Sequence, residues 1–475
     1  MKVSKVLNKN VAFNHNVNKL CIDSRNIKVN DIFFAIKGSK TDGNLYVEEA
    51  IRKGAKTIVT EDASILFNNI NVVVVNDINK YLCECCLRFY GDLSRKVKLC
   101  GITGTNGKSS SCTLIYKYLM FLNEKSTLIS TYGIYINDLY YETVNTTPDI
   151  ITIYEILVKS IKEKCKYVIM EVSSHAVKLN RIYGLSFYIG GLTNITHDHL
   201  DFHKTFEDYK LSKTIFLTRV KHPIINYNYN YLLPYLNSNV FVYGDSGNIK
   251  INNVDESVNG LTINYNICGI NRIIKTNLLC KFNSYNIALF ICAIIILDKY
   301  DSKKVDLFFN NNIYIPGRME ILPYKKKVII DFAHTPDAIK KVLLYLNKIK
   351  GEGLVTCVVG MGGDRDRSKR SVVGKIVTEL SDFAIFTEDN SRSEKVEDII
   401  NDIVAGVSNN NNNNNYVIVY DRKEAITKAI NISSENDIIC ILGRGCEEYL
   451  EKENSFFRLL DKDIAIEVLE NEENC

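Results

Sequence analysis

Along the chain, short apolar runs alternate with longer amphipathic stretches, the pattern of strands separated by helices. In the first hundred residues the runs Thr57–Thr60 and Val72–Val75 alternate with helical stretches such as Tyr46–Lys53. From Val97 the order becomes strand, glycine-rich turn, helix, repeated with longer helices. A third series starts near Arg318, with apolar runs at Val328–Ile330, Leu354–Val359, Phe383–Phe386 and Ile438–Leu442. Such alternation predicts an α/β chain built on parallel sheets, whose binding residues gather at the carboxyl ends of the strands. Three units are expected, at 1–98, 99–316 and 317–475, because 475 residues exceed what one ordinary core organises.

Composition narrows the class only a little. Hydrophobic residues make up 46% and charged residues 24%, the balance of a soluble globular protein. A net charge of +4 gives no reason to expect nucleic acid or an anionic membrane as partner, and a monomer is expected. The apolar run Ile287–Leu297 is too short to span a bilayer, and Met1–Asn10 has no apolar stretch of the signal-peptide kind. Fourteen cysteines without such a signal suggest a reducing, cytoplasmic setting. Cys83, Cys85 and Cys86 lack a second pair at zinc-ribbon spacing, so they are read as buried thiols. The run Asn409–Asn415 reads as a surface loop.

The strongest chemical signal is Gly101-Ile-Thr-Gly104-Thr105-Asn106-Gly107-Lys108-Ser109, between a strand at Lys98–Ile102 and a helix. Glycines let backbone N–H groups close around phosphate oxygens, and the helix N-terminus adds positive potential. Lys108 is placed to reach the terminal phosphates and Ser109 to ligate Mg²⁺. A second strand, Tyr167–Glu171, ends in a carboxylate, the hard oxygen donor that Mg²⁺ prefers. A third ends in Asn194-Ile-Thr-His197-Asp198-His199-Leu-Asp201-Phe-His203. Zinc on His197, His199 and His203 is a competing reading, but Mg-nucleotide chemistry suits the neighbouring loop better. These residues alone leave a kinase, an ATPase and an ATP-driven ligase open.

Five segments in order carry a resemblance: Gly104-Thr-Asn-Gly-Lys108, Glu171-Val-Ser-Ser-His175, Asp198-His-Leu-Asp201, Gly317-Arg318-Met-Glu320 and Asp331-Phe-Ala-His-Thr-Pro-Asp337. Together they resemble the Mur ligase family, over nearly the whole chain from Asp23-Ser-Arg25 to Gly443-Arg-Gly445. The resemblance implies a UDP-binding N-terminal domain, a central P-loop ATPase domain and a Rossmann-like C-terminal domain. It also implies ATP-driven amide formation on UDP-MurNAc-L-Ala-D-Glu through an acyl phosphate. By motif, the ATP residues are Gly104 to Ser110 (with Ser110), Asn283 on the adenine side, Arg318 at the transferred phosphoryl group and Asp331 at the ribose. Ser109, Glu171, His199 and a carbamylated Lys213 look like the magnesium shell, and Lys108, Lys213, His199 and Arg318 the catalytic set. Matching positions for the UDP-sugar are Ile22, Ser24, Ser39, Lys40, Thr41, Asn145, Thr146, Thr147, Ser173 and Arg181.

For the added amino acid, Asp389-Asn390-Ser391-Arg392 is similar to the family's D-N-P-R motif without its proline, and Arg365, Gly443 and Glu447 complete the pocket. Cys446 stands where histidine is common. A lone Arg392 favours meso-diaminopimelate over L-lysine, because lysine leaves the guanidinium unpaired; lanthionine shares the second carboxylate. The rivals are a folylpolyglutamate-synthase-like ligase and a non-catalytic relative acting as a binding protein. Such a relative predicts losses among Lys108, Glu171, His199, Lys213 and Arg318, and all five are present.

Overall fold

A computed structural model describes the whole chain except residues 39–40, 144, 238, 408–414, 454 and 474–475; Ser39, Lys40 and 409–414 of the asparagine run therefore lie outside the described residues. Of Leu200 and Asp201 only the backbone is described.

The chain is mixed α/β, and among the described residues its strands form three large sheets and one separate hairpin. The first sheet is parallel, in the order Leu20–Cys21, Ile32–Phe34, Thr57–Thr60, Asn71–Val74. Helix Ile78–Tyr90 packs under it and buries Cys83, Cys85 and Cys86, as their apolar surroundings required.

Inside the eleven-stranded second sheet, Lys98–Thr103 lies parallel to Phe187–Leu192 on one side and Tyr167–Glu171 on the other. The parallel part does not reach either edge. Ser126–Ser130, Gly133–Ile136 and Leu139–Tyr141 form an antiparallel meander at one side, and Ile249–Ser257, Gly260–Ile267 and Ile270–Thr276 another at the far side. Alternation of strand and helix predicts neither meander, because a two-residue turn leaves no helical signal. The apolar stretch Ile287–Leu297 makes up the C-terminal part of helix Phe282–Ile296 and its C-cap Leu297, and the helix is buried on nearly every side against this sheet. Among the described residues no helix is long and apolar enough to cross a membrane.

The third sheet runs Glu320–Ile321, Lys327–Asp331, Ile438–Leu442, Val355–Val359, Phe383–Phe386, Tyr416–Ile418, parallel except for its first strand. Beyond it, Tyr449–Lys452 and Ser455–Arg458 pair as a small hairpin. The buried pair of Arg422 with Asp461, at 2.8 Å, ties this sheet to the last helix, with the Arg422 guanidinium also donating to the Glu388 and Leu442 carbonyls. Carboxyl ends of the central and third sheets face a shared cleft of about 1410 Å³.

Candidate active site

The cleft begins at the glycine-rich loop. Gly107 closes the loop at φ +84° and the helix Lys108–Phe121 starts on the next residue with no side chain capping it, which leaves its first N–H groups to a ligand. Gly104 is the tighter constraint: at φ +146°, a Cβ there would stand 1.8 Å from Thr193 Oγ1. The loop is held from across the sheet. Asn106 N–H donates to Asn194 Oδ1 (2.9 Å), Thr193 Oγ1 donates to Asn106 O (2.6 Å), and Thr105 N–H donates to Asn194 O (2.8 Å). Lys108 Nζ folds back on Gly104 O (2.9 Å) and Thr105 O (2.8 Å), and burial lowers its pKa. An ammonium held only by carbonyls is ready to trade them for phosphate oxygens.

Glu171, at the end of its strand, accepts from Thr131 N–H at 2.8 Å. His199 sits at φ +53°, edge-on to the His175 ring, and burial keeps its pKa far below the usual value, at about 2. Its neighbour Asp198 pairs with Lys369 Nζ at 2.6 Å. Burial alone would push the Asp198 pKa up, but the ion pair with Lys369 helps carry it down. Burial holds His199 neutral, and a neutral imidazole is the form that binds metal. Ser109, Glu171 and His199 all line the cleft. His197 instead stacks on Phe206 and His203 Nδ1 meets Asp208 at 3.1 Å, so the three histidines diverge, which removes the zinc reading. Among the described residues no group of three His, Cys, Asp or Glu side chains is gathered as a metal cage.

Lys213 stands behind the cleft wall, not on it. It is 1% exposed, its Nζ lies 4.4 Å from the centre of the Tyr209 ring, and it makes no hydrogen bond or ion pair with any described residue. Burial, with Lys108 nearby, takes its pKa well below the usual lysine value. Thr103 Oγ1, Thr196 Oγ1, Ser174 Oγ and His203 Nε2 are buried without hydrogen-bond partners among the described residues.

From the third sheet's side, Arg318 reaches over to Ser109, with Nη2 donating to Oγ at 3.0 Å and the guanidinium 4.3 Å from the Phe332 ring centre. Its buried Nε has no partner. Asp331 holds Met319 N–H (2.7 Å) and Ala333 N–H (2.8 Å), so its carboxylate orders the linker that carries Arg318; burial raises its pKa. Asn283 differs from expectation. It is 3% exposed and off the wall, its Nδ2 donating to Leu279 O and its Oδ1 accepting from Asn286. Asn286 is the residue at the cleft, against Gly107, and Lys281, Phe282, Tyr285 and Tyr345 continue that wall. The helical spacing of three between Asn283 and Asn286 is the signal that could have found it.

Of the positions matched to the UDP-sugar, Asn145 and Thr146 line the cleft while Ile22, Ser24 and Thr41 do not. Ser24 Oγ donates to Glu49 (2.9 Å) and Thr41 Oγ1 to Tyr46 OH (3.1 Å). Thr147 Oγ1 donates to Glu171 O (2.8 Å) and accepts from Ser173 N–H, while Ser173 Oγ caps the next helix. Arg181 donates to Thr147 O at 3.4 Å, and burial lowers its pKa.

At the far end, Arg365, Asp389, Asn390, Arg392, Gly443 and Glu447 line the cleft, and Ser391 is buried behind it. Asn390 Nδ2 donates to Glu447 Oε2 at 2.9 Å, and burial, aided by Asp389, raises the Glu447 pKa to about 7. The expected lone arginine is corrected here: Arg392 Nε donates to Glu451 Oε2 at 3.1 Å, a carboxylate supplied by the C-terminal hairpin. Lys369 and Glu451 are the contacts that motif reading missed, since each acts across a long gap in sequence.

This fold and cleft define a phosphate-loop nucleotide enzyme working between two sheets. Models of the Mur ligase family, catalytic domain, the Mur ligase middle domain and the Mur ligase, glutamate ligase domain match residues 16–90, 102–294 and 317–445. The chain is 36% identical over 465 residues to UDP-N-acetylmuramoyl-L-alanyl-D-glutamate–2,6-diaminopimelate ligase 1 of Clostridium acetobutylicum, covering 96% of this chain and 95% of that protein. It is also 36% identical to the like-named ligase of Aquifex aeolicus, over 95% of this chain and 94% of that one. A solved ligase of the same name superposes with TM-score 0.68 at 23% identity, over 100% of this chain and 99% of that one. A folylpolyglutamate synthase from Mycobacterium tuberculosis reaches 0.59 at 16% identity over 77% of this chain and 92% of that one. The chain belongs to the Mur ligase family.

Proposed function

We propose that this chain is the cytoplasmic ligase that joins a 2,6-diamino dicarboxylic acid, meso-diaminopimelate, to UDP-MurNAc-L-Ala-D-Glu at the expense of ATP. The observation that carries it is one cleft with a phosphate loop at one end and Arg392 with Glu447 at the other. A carboxylate is a poor electrophile until one oxygen becomes a phosphate leaving group. The nucleotide loop Gly104–Ser110, with Lys108, holds the donor phosphates, and Arg318 steadies the charge on the phosphoryl group in transfer. The amine then attacks the acyl phosphate, displacing inorganic phosphate, within a cleft whose walls limit water.

Ser109, Glu171 and His199 would hold Mg²⁺, which neutralises phosphate charge when bound. Lys213, whose pKa burial and Lys108 lower, would offer a free amine to CO₂, and the carbamate formed with loss of a proton would replace a basic group by an anion. Asp331 and Asn286 serve the nucleoside end, while Asn145, Thr146, Thr147, Ser173 and Arg181, with Ile22, Ser24, Ser39, Lys40 and Thr41, serve the UDP-sugar. In this division 1–98 recognises the UDP-sugar, 99–316 binds ATP and 317–475 binds the amino acid. Ile22, Ser24 and Thr41 stand away from the cleft, so that role needs the units to close on substrate.

The test is phosphate release with UDP-MurNAc-L-Ala-D-Glu, ATP-Mg and a panel of diamino acids. Release is expected with meso-diaminopimelate and absent in Lys108→Ala. Full activity in folded Lys108→Ala, or preference for an acceptor without a second carboxylate, overturns the reading.

A further inference from the structure

Arg392 is more constrained than a binding arginine on a loop usually is. Its backbone sits at φ +53°, a region costly for a side chain with a Cβ, and is latched on both sides by the hairpin. Arg392 N–H donates to Glu451 O (3.0 Å) and Glu453 N–H donates to Arg392 O (2.8 Å). The guanidinium is divided in the same way. Nε meets Glu451 Oε2 (3.1 Å), and Nη1 donates to Gly363 O (2.6 Å) and Asn390 O (3.4 Å). Among the described residues Nη2 makes no hydrogen bond, and Arg392 lines the cleft, so one edge of the fork stays open to a ligand. Glu451 is itself fixed, because its N–H donates to Asn390 Oδ1 at 2.7 Å. Asn390 thereby joins Glu451 to Glu447, the carboxylate assigned to the same distal end of the ligand.

We infer that Glu451 is a specificity-determining residue, an internal carboxylate that neutralises Arg392 and so weakens the enzyme's rejection of amino acids with no distal carboxylate. The inference rests on Arg392 reading the distal carboxylate, as proposed above. A buried guanidinium left unpaired rejects an analogue lacking its partner by about 10⁴-fold or more. With Glu451 at 3.1 Å the charge is never bare, so lysine meets a smaller penalty. When the dicarboxylic acid binds at Nη2, the same Glu451 repels it as a like charge nearby. Removing the charge therefore shifts the two substrates in opposite directions. A residue that merely supports the fold would shift both the same way.

The experiment measures kcat/KM for meso-diaminopimelate and L-lysine in the full-length wild type, Glu451→Gln, Arg392→Ala and the double variant. Wild type is expected to prefer diaminopimelate by well under ~10⁴-fold. Glu451→Gln should widen that preference at least about tenfold, with KM for lysine rising and KM for diaminopimelate falling, while the double variant should match Arg392→Ala. Equal shifts for both substrates in Glu451→Gln overturn the inference, and so does a wild-type preference of ~10⁴-fold or more, which needs no variant to fold. An Arg392→Ala variant with unchanged KM for diaminopimelate is a different failure, that of the pocket reading itself.

Discussion

Arg318→Ala separates catalysis from folding. The side chain is half-buried on the linker between the two sheets and gives one hydrogen bond to Ser109 and one face to Phe332. Its buried Nε is without a partner, so the native state carries an unmet donor that a ligand would satisfy. Losing the side chain therefore costs the resting fold little, at most the Ser109 bond and the ring contact. In the transition state the fork is expected to give two charge-assisted bonds to the phosphoryl oxygens, worth ~1.5–3 kcal/mol each. The loss is then about 3–6 kcal/mol, or ~10²–10⁴-fold in kcat. Arg318→Lys keeps the charge but presents no planar fork, and should fall between the two. The assay is steady-state phosphate release at saturating substrates, beside a thermal melt to confirm the fold. A folded Arg318→Ala within threefold of wild-type kcat refutes the reasoning, and a collapse in stability shows that the residue's role is structural.

Two further outcomes follow from the buried groups. Lys213→Ala should lose most activity, and millimolar acetate or propionate should partly restore it by occupying the vacated anion position; activity equal to wild type ends the carbamate role. Glu447, with its pKa raised from 4.5 to about 7, is neutral below that pH and ionised above it. Its folded form holds a proton that the unfolded chain has released, so its contribution to stability is present near pH 4.5 and is lost as pH rises through 7. Recognition of the distal ammonium runs the other way: kcat/KM for the diamino acid should climb through about pH 7, and Glu447→Gln should flatten that inflection.

Local pattern was enough for much of this protein, because strands and phosphate loops are built from neighbours in sequence. The run Phe383–Phe386 and the run Ile438–Leu442 are strands to the residue, and Lys98–Ile102 is one residue short of its strand. Gly104 and Gly107 needed no structure to be read as a loop around phosphate, since only glycine takes those backbone angles beside Thr193 and Asn286. The antiparallel meanders escaped because strands joined by tight turns carry no helix between them. Asn283 and Asn286 share a motif and are both buried, and only the placement of their helix decided which one lines the cleft. Arg392 shows the limit most plainly. Its identity announced a carboxylate reader, but whether that charge stands alone depends on Glu451, fifty-nine positions away on a hairpin. Sequence order determines which charges exist; the folded chain decides their company, because electrostatic cost depends on distance and burial, and neither is written along the chain.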